Sequence, residues 1–309
     1  MGGRWSLVQI QSPRPFSPAP KRAIAGHEAV GPGAHPKGPA ATMISAAAYC
    51  AAEWLERRLP RAWTPRLAVW MARGAFLARV PARATLEQNL SALMPAKHDA
   101  AVAAERAFEQ FARSFVEFLA LERMSPSRLE EAVELRGWEH VESALAARSG
   151  VILLSAHFGN WEWGAAALAA RGLTLHVAAR RHGSPTVEAM FERRRRAFGL
   201  ARLTGGPLWP RAARLLRAHG CLAVMGDRSI PGARHPVCVW AAALARRTGA
   251  VLLPAITVRT SEGRYALIVE PPLTPERCAR GGFQEFLHRQ LARHPGQWCA
   301  FENCAGALA

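Results

Sequence analysis

"GVILLSAHFGNWEWG", residues 150–164, runs four aliphatic residues, Val151 to Leu154, into a histidine, a Gly-Asn pair and a glutamate set between two tryptophans. The aliphatic run reads as a buried strand. On one continuous helix, five steps of about 100° would leave His157 and Glu162 about 140° apart. A strand ending at His157, a turn at Gly159 and Asn160, and a helix N-capped by Asn160 would instead fold the two back together. Glu162 then lies in a first helical turn, where a carboxylate is favoured. From there it can accept the proton of one imidazole nitrogen and leave the other as a general base. The same spacing also suits a histidine that closes the strand and a glutamate that complements the helix dipole.

Outward from this stretch the pattern alternates. Strand-like runs are expected at Val151 to Ser155, Leu173 to Ala178, Cys221 to Met225, Val251 to Val258 and Tyr265 to Val269. Helical periodicity lies between them, near 161–171, 185–198, 208–218 and 239–247. That order predicts an α/β fold, a mostly parallel or mixed sheet flanked by helices. Upstream the periodicity is helical, from Asp99 to Leu121 and again in "SPSRLEEAVEL", where Ser125 or Ser127 can cap. A helical N-terminal third is therefore expected.

Residues 1–42 hold seven prolines and six glycines with almost no apolar periodicity and no signal-peptide core. They read as a disordered leader, either a flexible tail or sequence upstream of a start at Met43, ahead of a single domain over residues 43–309. The helix opening at Met43 is apolar only to about Ala52, short of the about 20 residues that a span needs. "RLAVWMARGAFLARV" mixes Val69, Trp70, Met71, Phe76 and Leu77 with Arg66, Arg73 and Arg79. It suits either an interfacial basic helix or a bundle helix with snorkelling arginines. Residues 43–82 are thus the expected membrane-associating segment.

The chain has 309 residues, a formal charge of +17 and 40 basic residues of which three are lysines. Partners of negative sign are expected, such as anionic lipid, an acidic protein or nucleic acid. Residues 171–220 carry eleven arginines against Glu188 and Glu192, so more than half of the net charge is local. No RNP-type strand is present, and the six cysteines show neither a CxxC pair nor finger spacing, which argues against a nucleic-acid module and a zinc site. Unpaired thiols in a reducing compartment are expected.

"HFGNWE" after a short aliphatic strand resembles the HxxxxD/E signature of the lysophospholipid acyltransferase superfamily, and more narrowly the bacterial lipid A late acyltransferases. The likeness extends over most of the chain from about residue 43. "AFEQFARSFVEFLAL" resembles the helix upstream of the motif, and "RGWEHVESALAARSGVILL" the segment entering the catalytic strand. "ARRHGSPTVEAMFERRRRAFG" is similar to the arginine-glycine block, with Arg195 four residues before Gly199. "HGCLAVMGDRSI", ending its strand at Asp227, "LARRTGAVLLPA" and "HPGQWCAFEN" complete the order.

The resemblance implies acyl transfer from an acyl carrier protein or coenzyme A thioester to a lipid hydroxyl, a lipid A-type glycolipid precursor first and a lysophospholipid second. A catalytically impaired lipid-binding relative would more often have lost His157 or Glu162. His157 would be the base and Glu162 its orienting partner, with no acyl-enzyme, cofactor or metal. Backbone N–H groups of Phe158, Gly159 and Asn160 would form the oxyanion site. Arg195 would hold an anionic group, against the reading of its run as a solvated face. Asp227 would hold Arg195 or Arg228, or simply end its strand. Ser155 lacks a GxSxG elbow and reads as strand packing. The expected location is the cytoplasmic face of a bacterial inner membrane, peripheral or weakly anchored. Two departures stand out: no Phe-Phe-Gly block follows Asp227, and Glu302 and Asn303 replace the basic residues usual after the Gln-Trp pair.

Overall fold

The computed structural model describes residues 46–95, 98–179, 182–203, 207–228 and 236–304. The expected leader and Met43 lie outside the described residues, as does most of the shortened segment after Asp227.

Four helices come first: α1 (Ala46–Arg58), α2 (Thr64–Leu77), α3 (Pro81–Leu93) and α4 (Ala100–Ala120). Prolines in the first turns of α2 and α3 remove N–H groups that would have no helical acceptor. Asp99 caps α4, its carboxylate accepting from Ala101 N and Val102 N. Buried Ala103, Ala104, Ala107 and Phe108 recur at helical spacing, so one stripe of α4 faces the core. Phe108 meets Phe76 of α2 and Phe301 edge-on, with centroids 5.5 and 5.1 Å apart.

The expected helix "SPSRLEEAVEL" divides. Ser125 caps α5 (Pro126–Ala132), and the chain then extends as β1 (Val133–Arg136). In that strand Val133 is buried and Glu134 exposed, an alternation that suits an edge strand. After α6 (Trp138–Ala146) come β2 (Val151–Ser155), α7 (Trp161–Ala170), β3 (Leu175–Val177), α8 (Pro185–Ala197) and β4 (Ala201–Arg202). The chain continues through α9 (Leu208–Arg217), β5 (Cys221–Met225), α10 (Val237–Thr248), β6 (Val251–Arg259) and β7 (Tyr265–Val269). A last long helix spans Phe283–Arg293. Observed bounds fall within about two residues of those expected; β1 and β4 are the strands that the pattern did not reveal.

The strands form one mixed sheet in the order β1-β7-β6-β2-β5-β3-β4, in which β6 and β7 alone run antiparallel. In central β2, Ile152 and Leu154 join a core built with α3, α4 and α10, while Val151 and Leu153 join another built with α6 and α7. Helices thus cover both faces, which is why β2 is apolar at successive positions instead of alternating. Among the described residues no helix is long and apolar enough to cross a membrane.

Candidate functional site

Parallel strands β2 and β5 lie in register with Ser155 opposite Met225, so two residues further on the chain sets His157 beside Asp227 at their carboxyl ends. This end of an open α/β sheet is where such folds present their sites. His157 Nδ1 lies 2.9 Å from Asp227 Oδ1, and the His157 backbone N–H donates to Oδ2 at 2.8 Å. Trp298 Nε1 donates to the same Oδ2 at 2.9 Å. Asp227 is wholly buried and His157 8% exposed. Burial pushes the Asp227 carboxyl upward, but the imidazole charge, its hydrogen bond and the other two donors outweigh it and hold the group down at about 2. A carboxylate so held keeps a proton on Nδ1 and leaves Nε2 for substrate. No protein group among the described residues bonds Nε2, and Trp161 stands edge-on to the ring at 5.1 Å.

Glu162 does not take the role expected of it. It begins α7, in the first helical turn as anticipated, but its carboxylate receives Arg195 of α8, Nη2 to Oε1 at 2.5 Å and Nε to Oε2 at 3.2 Å. The imidazole belongs to Asp227 instead. The turn brings Glu162 back over the sheet, yet the parallel neighbour of the histidine's strand reaches Nδ1 first. Burial alone would lower the Arg195 pKa; Glu162, and more weakly Glu188 and Glu192, raise it, so the guanidinium stays charged. Asp227 holds neither arginine, and Arg228 lies 3.6 Å from Glu302, one of the two departures noted in the sequence.

The four arginines of α8 have four different settings. Arg193 is exposed and pairs with Glu122 and Glu53, and Arg196 pairs along the helix with Glu192. Arg194 is fully buried, donating to Leu119 O, Met190 O and Glu53. Only Arg195 points to the motif.

The "HFGN" turn is clamped from both sides. Phe158 N–H donates to Ala156 O and Gly159 N–H to Gln297 O, so two of the three amides expected at an oxyanion site are already used. Asn160 N–H has no acceptor among the described residues and remains available at the start of α7. Gly159 sits at φ +56° with a would-be Cβ only 2.0 Å from Thr257 O, a place that admits no side chain. Asn160 Oδ1 caps α7 through Trp163 N, and its Nδ2 donates to Glu117 Oε2 at 3.1 Å. Ser114 Oγ donates to Gly159 O. Glu117 also receives Tyr265 OH at 2.5 Å and pairs with Arg259. Burial pushes the Tyr265 phenol up, so it remains a donor.

Ser114, Glu117, Arg259 and Trp298 are contributors that motif reading did not identify. Trp298 had a signal, the Gln-Trp pair near the end of the chain, and Ser114 and Glu117 lie in the quoted helix "AFEQFARSFVEFLAL", whereas Arg259 had none because it approaches from a distant strand. Phe158 itself is buried, its backbone bridged to Trp298, while Cys299 N–H donates to His157 O.

Residues 38–229 match a family described as bacterial lipid A biosynthesis acyltransferase. The matched span includes His157, Glu162, Arg195 and Asp227. The chain is also similar to a phosphatidylinositol mannoside acyltransferase of Mycobacterium tuberculosis, 27% identical over 213 residues, which takes in 62% of this chain and 66% of the relative. The match thus spans slightly less than two thirds of that relative. With the match extending over more than half of its length and through all four polar residues at its strand ends and flanking helices, the chain belongs to the bacterial lipid A biosynthesis acyltransferase family.

Proposed function

We propose that the protein transfers a fatty acyl chain from a thioester, on acyl carrier protein or coenzyme A, to a hydroxyl of a glycolipid acceptor. The observation that carries this reading is a histidine whose Nδ1 is held by a buried, ionised Asp227 while Nε2 has no protein partner among the described residues. Nε2 takes the proton of the acceptor hydroxyl as its oxygen adds to the thioester carbonyl. The tetrahedral oxyanion then collapses, the C–S bond breaks, and the imidazolium returns the proton to the departing thiolate. Asp227 stabilises the imidazolium without itself taking the proton. Asn160 N–H and the Arg195 guanidinium, fixed by Glu162, are the donors nearest in role to the developing oxyanion or to a substrate phosphate.

A lipid A-type precursor is the acceptor suggested by the family description, and a phosphatidylinositol mannoside the one suggested by the relative's name. Either acceptor would present a hydroxyl to His157 Nε2. Peripheral attachment to the cytoplasmic membrane face is supported by α1 and α2 and the loop joining them, which expose Trp54, Trp63, Trp70, Met71 and Leu77 among Arg58, Arg61 and Arg66. Apolar side chains with a basic surround suit an anionic interface.

The test is lipid mass spectrometry of cells with the wild-type gene, without it, and with His157→Ala. Wild type alone should yield a lipid heavier by one acyl group, and that mass names acceptor and chain together. Purified His157→Ala should keep its circular dichroism and lose about 10²- to 10⁴-fold in turnover. A folded variant with undiminished transfer would refute the mechanism.

A further inference from the structure

A concavity lies behind the "HFGN" turn. A cavity of about 310 Å³ opens between α4 and the segment after the helix Phe283–Arg293, where Arg106, Gln110 and Arg113 face Arg293, His294 and Gln297. Its walls are in close contact: Gly296 packs on the Arg106 stem so tightly that a Cβ there would lie 2.5 Å from the arginine Cβ. The one carboxylate in the lining, Glu109, receives Arg73 at 2.6 Å. Arg106, Arg113 and Arg293 have no carboxylate partner among the described residues, so the cavity carries uncompensated positive charge. The His294 imidazole beside them is held below its ordinary pKa, first by burial and then by Arg293 and Arg136.

The cavity is also wired to the site. Gln110 Nε2 donates to Ser114 Oγ at 2.9 Å, and Ser114 Oγ donates in turn to Gly159 O at 3.0 Å. From the other side, Gln297 O accepts Gly159 N–H at 2.8 Å. Both backbone groups of Gly159 therefore lead, within two hydrogen bonds, to residues lining the cavity.

We propose that this cavity is a binding site for a phosphate group, a phosphomonoester or phosphodiester anion. Guanidinium forks match phosphate oxygens in pairs, and the volume leaves room for the group that the phosphate esterifies. The source is either a lipid headgroup presented at a bilayer or a soluble phosphate compound. The proposal does not rest on the acyl-transfer reading, because binding is measured without turnover.

The experiment titrates inorganic phosphate into the full-length protein by calorimetry at constant ionic strength, with chloride as the control anion. The comparison is Arg113→Gln/Arg293→Gln, which leaves the motif and its partners intact. Wild type should bind saturably, and the double variant should bind about a hundredfold more weakly with an unchanged circular dichroism spectrum. Flotation with phosphatidylcholine vesicles with or without phosphatidic acid separates the sources. For a headgroup, the double variant loses the phosphatidic-acid-dependent retention, and free phosphate displaces the wild type. For a soluble phosphate, retention is the same in both proteins while calorimetric binding still differs. Non-saturable heats, or equal affinity in wild type and variant, would overturn the proposal by assigning phosphate to the general basic surface. Should the double variant misfold, Arg293→Gln alone must weaken binding about tenfold for the proposal to stand.

Discussion

Exchanging Asp227 for asparagine keeps shape and removes charge, and the hydrogen-bond pattern dictates the consequence for the histidine. Oδ2 accepts two obligate donors, His157 N–H and Trp298 Nε1–H, so the asparagine oxygen must take that place. Its NH₂ then faces His157 Nδ1. Nδ1 becomes an acceptor, the ring proton moves to Nε2, and the general base is lost. Turnover should fall by about 10³- to 10⁴-fold, the scale on which a wrong tautomer acts in the serine protease triad. Steady-state acyl transfer by the purified protein measures it.

The same substitution carries a signature in stability. The folded carboxyl lies at about 2 against an ordinary value of 3.8, so its ionised contacts contribute roughly 2 kcal/mol, at ~1.4 kcal/mol per pKa unit. A depressed pKa gives stability that is complete above pH 3.8 and is lost as pH falls through about 2. Denaturant unfolding of wild type and Asp227→Asn should therefore show a gap that narrows by roughly that amount between about pH 4 and about pH 2. A folded Asp227→Asn protein within about tenfold of wild-type turnover, or a gap that does not change with pH, would refute the assignment.

Glu162→Gln and Arg195→Lys should each lower turnover by about 10- to 100-fold, because either change loosens the fork that holds the guanidinium. Their double variant should be little worse than either single one, and additive losses would show that the two act separately. Gly159→Ala should cost more than ~1 kcal/mol and lower Tm, since φ is positive and Thr257 O blocks the new methyl; an unchanged Tm would contradict the turn geometry. Trp63→Ser/Trp70→Ser should weaken retention on anionic vesicles by about tenfold or more without altering turnover on a detergent-dispersed acceptor. High salt or alkaline carbonate should release the wild type from membranes, and retention through both washes would indicate an integral anchor.

Much of this architecture is dictated by local pattern. The apolar run of β2, the helical stripe of α4, the Asn160 cap and the first-turn place of Glu162 are each written within a short stretch of chain, because side-chain periodicity and capping chemistry are local. β1 and β4 escaped notice because four and two residues at sheet edges carry too little periodicity against their helical neighbours. Which of four successive arginines turns inward was equally hidden. Arg194 is buried because Leu119 and Glu53 reach it from two other helices while Met190 O lies one turn back on α8, and that packing leaves Arg195 facing Glu162.

The partner of the histidine is the sharpest case. Sequence proximity favoured Glu162, five residues away, whereas Asp227 stands 70 residues on and reaches Nδ1 only because β2 and β5 pair in parallel with Ser155 opposite Met225. The polar residues of the candidate site, His157, Glu162, Arg195 and Asp227, were all readable from the chain. Their pairing was decided by strand register, a long-range property set by how both faces of the sheet bury their apolar side chains.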